Sequence, residues 1–205
     1  MQNMKATISE PFTTIASLLK RPRPVLRDIP GHRRAAVAML LRRGAAGLEM
    51  LFIERATHPA DPWSGNIAFP GGKVEKDDAD SRQAAERETM EELGIDLSRT
   101  LYLGRLSDFD AAHLPVLLSC FVYAAIDGLP EFIINEEVKD VFWVSLADIV
   151  DQKRHGMHTF TFAGDPFESP SICLPYPDKP VLWGMTYRLV QEFLEKTGMN
   201  SNKEQ

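Results

Sequence analysis

Cysteine is scarce in this chain: Cys120 and Cys173 are the only two among 205 residues, with no CxxC pair and no Cys/His spacing of a metal-binding kind. That excludes a disulfide framework and a zinc site as the organising device, and both thiols are expected to be reduced and mostly buried. There is no basic excess either. With 23 Lys and Arg against 29 Asp and Glu, the net charge is −6, which argues against a nucleic-acid-coating surface while leaving room for a local basic pocket. No apolar run approaches the 18 or so residues of a membrane span, and the first twenty residues hold no uninterrupted apolar core of a secretory signal. A soluble, cytoplasmic protein with no membrane partner is the expectation. Repeats, low-complexity tracts and breaks in composition are also missing, so one domain with a single core is expected.

What is present is ordinary globular material, 44% apolar and 25% charged, arranged in a legible order. Residues 10–20 predict a short helix with Phe12, Ile15, Leu18 and Leu19 on one side. A basic connector interrupted by Pro22, Pro24 and Pro30 follows, which suits an extended tether. Residues 35–41 and 48–53 read as a β-hairpin around Gly44 and Gly47, and residues 67–69 as a short strand. Pro70, Gly71 and Gly72 read as a breaker. Residues 81–93 contain no glycine or proline and end at Gly94, which predicts a helix. Strands are expected at 101–106, 117–126 and 141–144, a short helix at 146–150 and a last helix at 183–196. The sum is an α/β domain with helices packed around a mixed sheet. Residues 1–33 are expected to form an arm and connector, 34–197 the domain, and 198–205 a frayed tail.

The acidic residues are not spread evenly. Nine of the 29 carboxylates lie in residues 75–96, and outside that stretch acids and bases balance at 20 each. On the helix within it, with Glu88 as origin, Glu91 falls at about −60° and Glu92 at about +40°. Ala85, Thr89, Leu93 and Met90 follow at about +60° to +200°, so the acidic stripe is expected to border the core face. Like charges at such spacing cost the helix about 0.2 to 0.5 kcal/mol per pair, a cost that a divalent cation would reverse. Hard cations such as Mg²⁺ take oxygen ligands from a few carboxylates together with substrate phosphates, which suits Glu88, Glu91 and Glu92. Gly71 and Gly72 permit close approach of phosphate oxygens, and Arg87, flanked by acids, can orient one of them.

The run Arg87-Glu88-Thr89-Met90-Glu91-Glu92-Leu93-Gly94-Ile95, preceded by Gly72, resembles the signature of the Nudix hydrolases, G-x5-E-x7-R-E-U-x-E-E-x-G-U with U apolar. Thr89 stands at the first apolar position. Fourteen residues separate Gly72 from Arg87 instead of thirteen, with Asp78 where the first glutamate belongs. Together with Leu51, Arg55, Ala56 and Phe69-Pro70-Gly71-Gly72, this is similar to the coenzyme A pyrophosphatase branch. Ile53 replaces that branch's threonine, and Asp61-Pro62-Trp63-Ser64-Gly65 replaces its usual basic stretch.

The resemblance implies a Nudix-type α/β/α sandwich with a mixed β-sheet. It also implies hydrolysis of a diphosphate in a small nucleotide-type substrate, coenzyme A or a derivative first, with Mg²⁺ or Mn²⁺ as cofactor. Glu88, Glu91 and Glu92 then become the metal ligands and Arg87 the residue that orients a ligand. Glu91 or Glu137 is the water-activating base, and Gly71, Gly72, Arg55 and Trp63 are substrate contacts. Arg34, Arg42 and Arg43 join Arg55 as candidates for the extra phosphate of coenzyme A. NADH, ADP-ribose or another dinucleotide or nucleotide sugar is the alternative substrate, and an inert nucleotide-binding sensor the alternative class. A homodimer is left open, because an exposed apolar stripe cannot be told from core in a sequence.

Overall fold

The computed structural model describes residues 10–58, 64–110, 115–162 and 165–200. In chain order the elements are α1 (Glu10–Leu19), β1 (Arg33–Gly44), β2 (Gly47–Arg55), β3 (Ile67–Ala68), β4 (Gly71–Lys73) and α2 (Ser81–Leu93). There follow β5 (Leu101–Arg105), β6 (Phe109–Asp110), β7 (Val116–Ala125), β8 (Val138–Ser145) and α3 (Leu146–Val150). The chain closes with β9 (His155–Phe162), β10 (Asp165–Ile172), β11 (Leu182–Trp183) and α4 (Gly184–Thr197).

β1 is the axis of the molecule. It pairs parallel with the whole of β7, from Arg33 opposite Val116 to Arg42 opposite Ala125. Its other edge is shared: β4 pairs antiparallel at Ala35 to Val37, and β2 pairs only at Leu41 to Gly44. Beyond Met50, β2 leaves β1 and pairs with β8 and, at Ile53 and Glu54, with β3. The parting of β1 and β2 opens the gap that β4 fills.

Alternation along β1 explains why residues 35–41 are apolar throughout. Ala36, Ala38 and Leu40 face α2 with Leu51, Ile53, Tyr123, Ala84 and Leu93. Met39 and Leu41 face the opposite layer with Phe12, Ile15, Leu19, Phe52, Val122, Val190 and Phe193. A strand buried on both faces needs an unbroken apolar run. The architecture is therefore a mixed sheet between α2 on one side and α1, α3 and α4 on the other, as expected. The helix at the N-terminus packs into this core, and the connector behind it is bonded to the sheet. Arg27 N–H donates to Asp108 Oδ2 at 2.9 Å and Asp108 N–H to Val25 O at 2.9 Å. Asp108 also pairs with Arg105 and accepts from Ser119 Oγ at 2.7 Å.

Several expectations change. Residues 71–73 form a strand, not a breaker, because Gly71 lies in an extended conformation with φ +144°, and a Cβ there would strike the β1 backbone at Ala36 O and at Val37 Cα, 2.6 Å away. The β9–β10 sheet was not anticipated. Pro166 and Pro170 argue against a strand, but β11 covers β10 only at Ser171 and Ile172, so the prolines stand on an open edge where no ladder N–H is needed. That strand is also mostly solvent-facing, which removes the apolar alternation that would have marked it. Finally, Cys120 is buried as expected, but Cys173 is exposed.

Candidate active site

The carboxylate helix is built from local signals. Asp80 caps it, its side chain accepting from Gln83 N–H at 2.8 Å, and Gly94 ends it in the left-handed region at φ +68°, donating to Met90 O. Its packing face is wider than the wheel suggested. Ala84, Ala85, Thr89, Glu92 and Leu93 are buried, whereas Met90 is 52% exposed. Thr89 fits its apolar position because its hydroxyl donates to Ala85 O at 2.7 Å. Glu92, 2% exposed, lies in the middle of the buried face rather than at its border.

A buried carboxylate needs a reason. The Glu92 carboxylate accepts from Gly71 N–H at 2.8 Å, which ties helix α2 to β4. Burial nevertheless pushes its pKa up to about 8; the Gly71 hydrogen bond and the Arg55 charge oppose the rise, and Glu88 and Glu137 add to it. Glu88 is also raised, first by burial and then by Glu91 and Glu137, with Arg87 opposing. Gly72 lies directly under it: a Cβ there would stand 2.6 Å from the Glu88 carboxyl carbon. The two glycines thus bring β4 against Val37 on one side and against Glu88 and Glu92 on the other.

Arg87 is held at the outer rim. Its Nε and Nη2 donate to both oxygens of Asp78, at 3.1 and 3.0 Å, and Nη2 also donates to Lys73 O at 3.1 Å. Nη1 reaches Glu88 Oε1 at 3.1 Å and Glu91 Oε2 at 3.0 Å. Asp78 accepts in addition from Glu75 N–H at 2.8 Å and is almost fully buried. The guanidinium beside it holds its carboxyl below the usual carboxylate range, and Arg87 in turn stays protonated. The residue at the motif's first acidic position therefore aligns Arg87 rather than facing the cleft.

Glu137 arrives from the opposite wall. Ile133 N–H and Asn135 N–H donate to Leu93 O and Glu92 O at 2.9 and 3.1 Å, laying residues 133–137 along the end of α2. Asn135 Oδ1 then accepts from Glu137 N–H at 2.9 Å, and Ala56 N–H donates to Glu137 O at 2.8 Å, joining this turn to the end of β2. Arg55, at that same strand end, completes the wall. Glu88, Glu92, Glu137 and Arg55 are thus brought together, and Glu91 lies at the exposed edge. Trp63 falls outside the described residues, although the neighbouring Asn66 is fixed by a 3.0 Å hydrogen bond from Trp183 Nε1.

Arg42 and Arg43 are not brought in. They stand at the hairpin end of β1, about 20 Å along the strand from Ala36 at 3.3 Å per residue. Arg42 is there engaged with Glu49 Oε2 at 2.6 Å and lies over the Trp143 ring at 4.2 Å. Arg34 reaches Asp28 at 3.9 Å while its carbonyl accepts from Val74 N–H beside β4. The role of Asp78 and the depth of Glu92 were missed. The signal for the first was available, an acid nine residues before an arginine across a turn; the second depends on packing.

Carboxylate oxygens are the donors a hard cation takes, and two of the carboxyls, Glu88 and Glu92, are raised in pKa first by burial. Among the described residues, no three acidic, imidazole or thiol side chains converge on one ligation point, because Arg87 engages Glu88 and Glu91 and the Gly71 amide engages Glu92.

A pH dependence follows. The folded protein retains the Glu92 proton that the unfolded chain releases above its ordinary value of 4.5. Metal-free stability should therefore fall as pH rises from about 4.5 to about 8. Thermal melts across that range check this. A rising Tm would contradict the buried position of Glu92.

Helix α2, on one face of the three-layer sandwich, carries this carboxylate and arginine array at the Gly71-Gly72 edge, and the chain belongs to the Nudix family of hydrolases acting on diphosphate bonds. The NUDIX domain model matches residues 31–162. The mouse mitochondrial coenzyme A diphosphatase NUDT8 is 31% identical over 173 residues, covering 82% of this chain and 79% of that protein. An uncharacterised Escherichia coli Nudix hydrolase, NudL, is 31% identical over 182 residues, covering 88% and 91%. Among solved structures, a MutT/nudix family protein from Enterococcus faecalis has a TM-score of 0.58 at 18% identity, covering 87% of this chain and 66% of that one. A MutT protein from Methanosarcina mazei has a TM-score of 0.50 at 18% identity, with 86% and 100% covered. These two share the fold. Among the described residues, no helix is long and apolar enough to cross a membrane.

Proposed function

We propose that this hydrolase is a divalent-metal-dependent diphosphatase acting on coenzyme A or its derivatives. The observation that supports the metal-dependent chemistry is the placing of Glu88 and Glu92 on the Gly71-Gly72 edge, both held above their ordinary pKa by burial, with the Glu137 charge acting on each of them. When bound, Mg²⁺ or Mn²⁺ supplies charge neutralisation to the diphosphate and acidifies water. Glu88, Glu91 and Glu92 hold the cations, Arg87 aligns Glu88 and Glu91, and Glu137 or Glu91 takes the proton of the attacking water. Arg55 faces the anionic substrate from the end of β2, and Gly71 and Gly72 line the edge on which it lies. Residues 34–197 form the catalytic domain, to which residues 10–33 are packed.

The coenzyme A assignment is supported by the branch motif around Arg55 and Phe69 to Gly72, together with the similarity to the mouse diphosphatase. The test is purified protein with Mg²⁺ or Mn²⁺ against coenzyme A, NADH, ADP-ribose and nucleoside triphosphates, with products identified by mass. Coenzyme A should show the highest kcat/KM and give phosphopantetheine and a phosphoadenosine phosphate. A lower rank for coenzyme A would overturn the substrate while leaving the diphosphatase chemistry in place, and no turnover of any of them would overturn both.

A further inference from the structure

The β9–β11 sheet supplies no carboxylate to the cleft, yet a side chain ties it to the strand end that borders the cleft. Trp183, in β11, donates from Nε1 to Asn66 Oδ1 at 3.0 Å across 117 positions of sequence. An indole nitrogen only donates, so the amide oxygen of Asn66 is the atom turned toward it. The indole is itself held by rings. Phe160 of β9 stacks on it at 4.0 Å with 16° between the planes, and Phe167 of β10 lies 5.7 Å away. Such stacking fixes ring orientation as well as burying area.

Asn66 in turn brackets Arg55. Arg55 N–H donates to Asn66 O at 3.1 Å and Gly65 N–H donates to Arg55 O at 3.2 Å, so the turn before β3 engages both backbone groups of Arg55. Gly65 takes the left-handed conformation, φ +72°, that closes this turn. One step further out, Ser64 Oγ accepts from His58 N–H at 2.8 Å and donates to His58 O at 2.7 Å. On its other side Arg55 pairs with Val138, next to Glu137, and the register shifts between Glu54 and Arg55. A shifted ladder holds a strand end less firmly than a regular one, which leaves the Asn66 turn as the main support. The charge of Arg55 acts on Glu92, so its guanidinium serves the cleft.

We infer that Trp183 and Asn66 are positioning residues: through their hydrogen bond the β9–β11 sheet braces the strand end that presents Arg55 to the phosphate groups of the substrate. Neither side chain has to touch substrate. The inference rests on the reading of Arg55 as a substrate contact, and its test separates the two. Arg55 offers a charge to the substrate's phosphates and holds no cation. Imprecise aim therefore weakens substrate and transition state alike, which raises KM and leaves kcat unchanged.

Trp183→Phe keeps a ring to stack on Phe160 and removes the donor. The kinetics are measured with Mg²⁺ on whichever substrate of the panel is hydrolysed with the highest kcat/KM. KM should rise about fivefold, with kcat within about twofold of wild type and Tm within about 2 °C. Asn66→Ala should match it, and the two together should do no more than either alone, since both remove one hydrogen bond. In an Arg55→Ala background, where KM is already raised, Trp183→Phe should add nothing. Amide hydrogen exchange reads the brace without activity: the Arg55 N–H should exchange about tenfold faster in Trp183→Phe, with the β1 and β7 amides unchanged. A wild-type KM in Arg55→Ala would overturn both the substrate contact and the role inferred for Trp183. A raised KM there, with a wild-type KM or unchanged Arg55 exchange in Trp183→Phe, would overturn the brace alone. So would a joint fall in kcat and Tm, the mark of a general loss of structure.

Discussion

Glu92→Gln should raise the stability of the metal-free protein near pH 8 and at the same time cut metal-dependent diphosphate hydrolysis about 100-fold or more. The two effects have one cause. Glu92 is 2% exposed and its carboxyl is pushed up to about 8, so ionising it in the fold is unfavourable. Glutamine keeps the oxygen that accepts from Gly71 N–H and removes the charge. A gain of about 1 kcal/mol would raise Tm by roughly 2–4 °C in a chain of this size. The lost charge is the one a divalent cation would use, and several kcal/mol of transition-state stabilisation depend on such a cation, about 3 kcal/mol being a factor of more than 100. Paired melts and steady-state kinetics read both. Mg²⁺ is expected to raise the Tm of wild type and to do so much less in the variant, and normal turnover in Glu92→Gln would remove it from the proposed ligand set.

Asp78→Ala is expected to damage stability and activity together. Asp78 takes two hydrogen bonds from Arg87 and one from Glu75 N–H, with its side chain almost wholly buried. Removing one partner of a buried ion pair strands the other, a loss of about 3–5 kcal/mol when both are buried. Arg87 retains 27% exposure and keeps Lys73 O, Glu88 and Glu91, so about 2–3 kcal/mol, or a Tm lower by roughly 5–10 °C, is expected. The freed guanidinium would then be held less firmly against Glu88 and Glu91, the proposed ligands. Groups that orient ligands in this way typically matter about 10- to 100-fold. Asp78→Glu, which keeps the charge, should recover part of both. A variant melting with wild type would show that Arg87 is aligned by other contacts.

These expectations separate what could be read along the chain from what could not. Helix α2 was legible to the residue because residues 81–93 hold no glycine or proline and Gly94 is a local stop signal that keeps its meaning in the fold. β1, β2 and β7 were legible because apolar runs buried on two faces leave no ambiguity. The β9–β10 hairpin was not, since its strands face solvent and carry two prolines on an edge that β11 leaves open. Arg42 and Arg43 share a strand with residues that adjoin the cleft but stand at its far end, a separation set by how β1 and β2 part.

The amino-acid sequence by itself determined the chemistry available: an acidic helix, an arginine among its carboxylates, a glycine pair before it, and an acidic excess confined to residues 75–96. Those follow from residue type and spacing, which folding does not alter. Only the tertiary structure decided which acid aligns Arg87, that Glu92 is the carboxylate taken out of water, and that Glu137 arrives from another segment. Burial and proximity between distant segments are properties of packing, and packing is where a carboxylate's charge becomes costly.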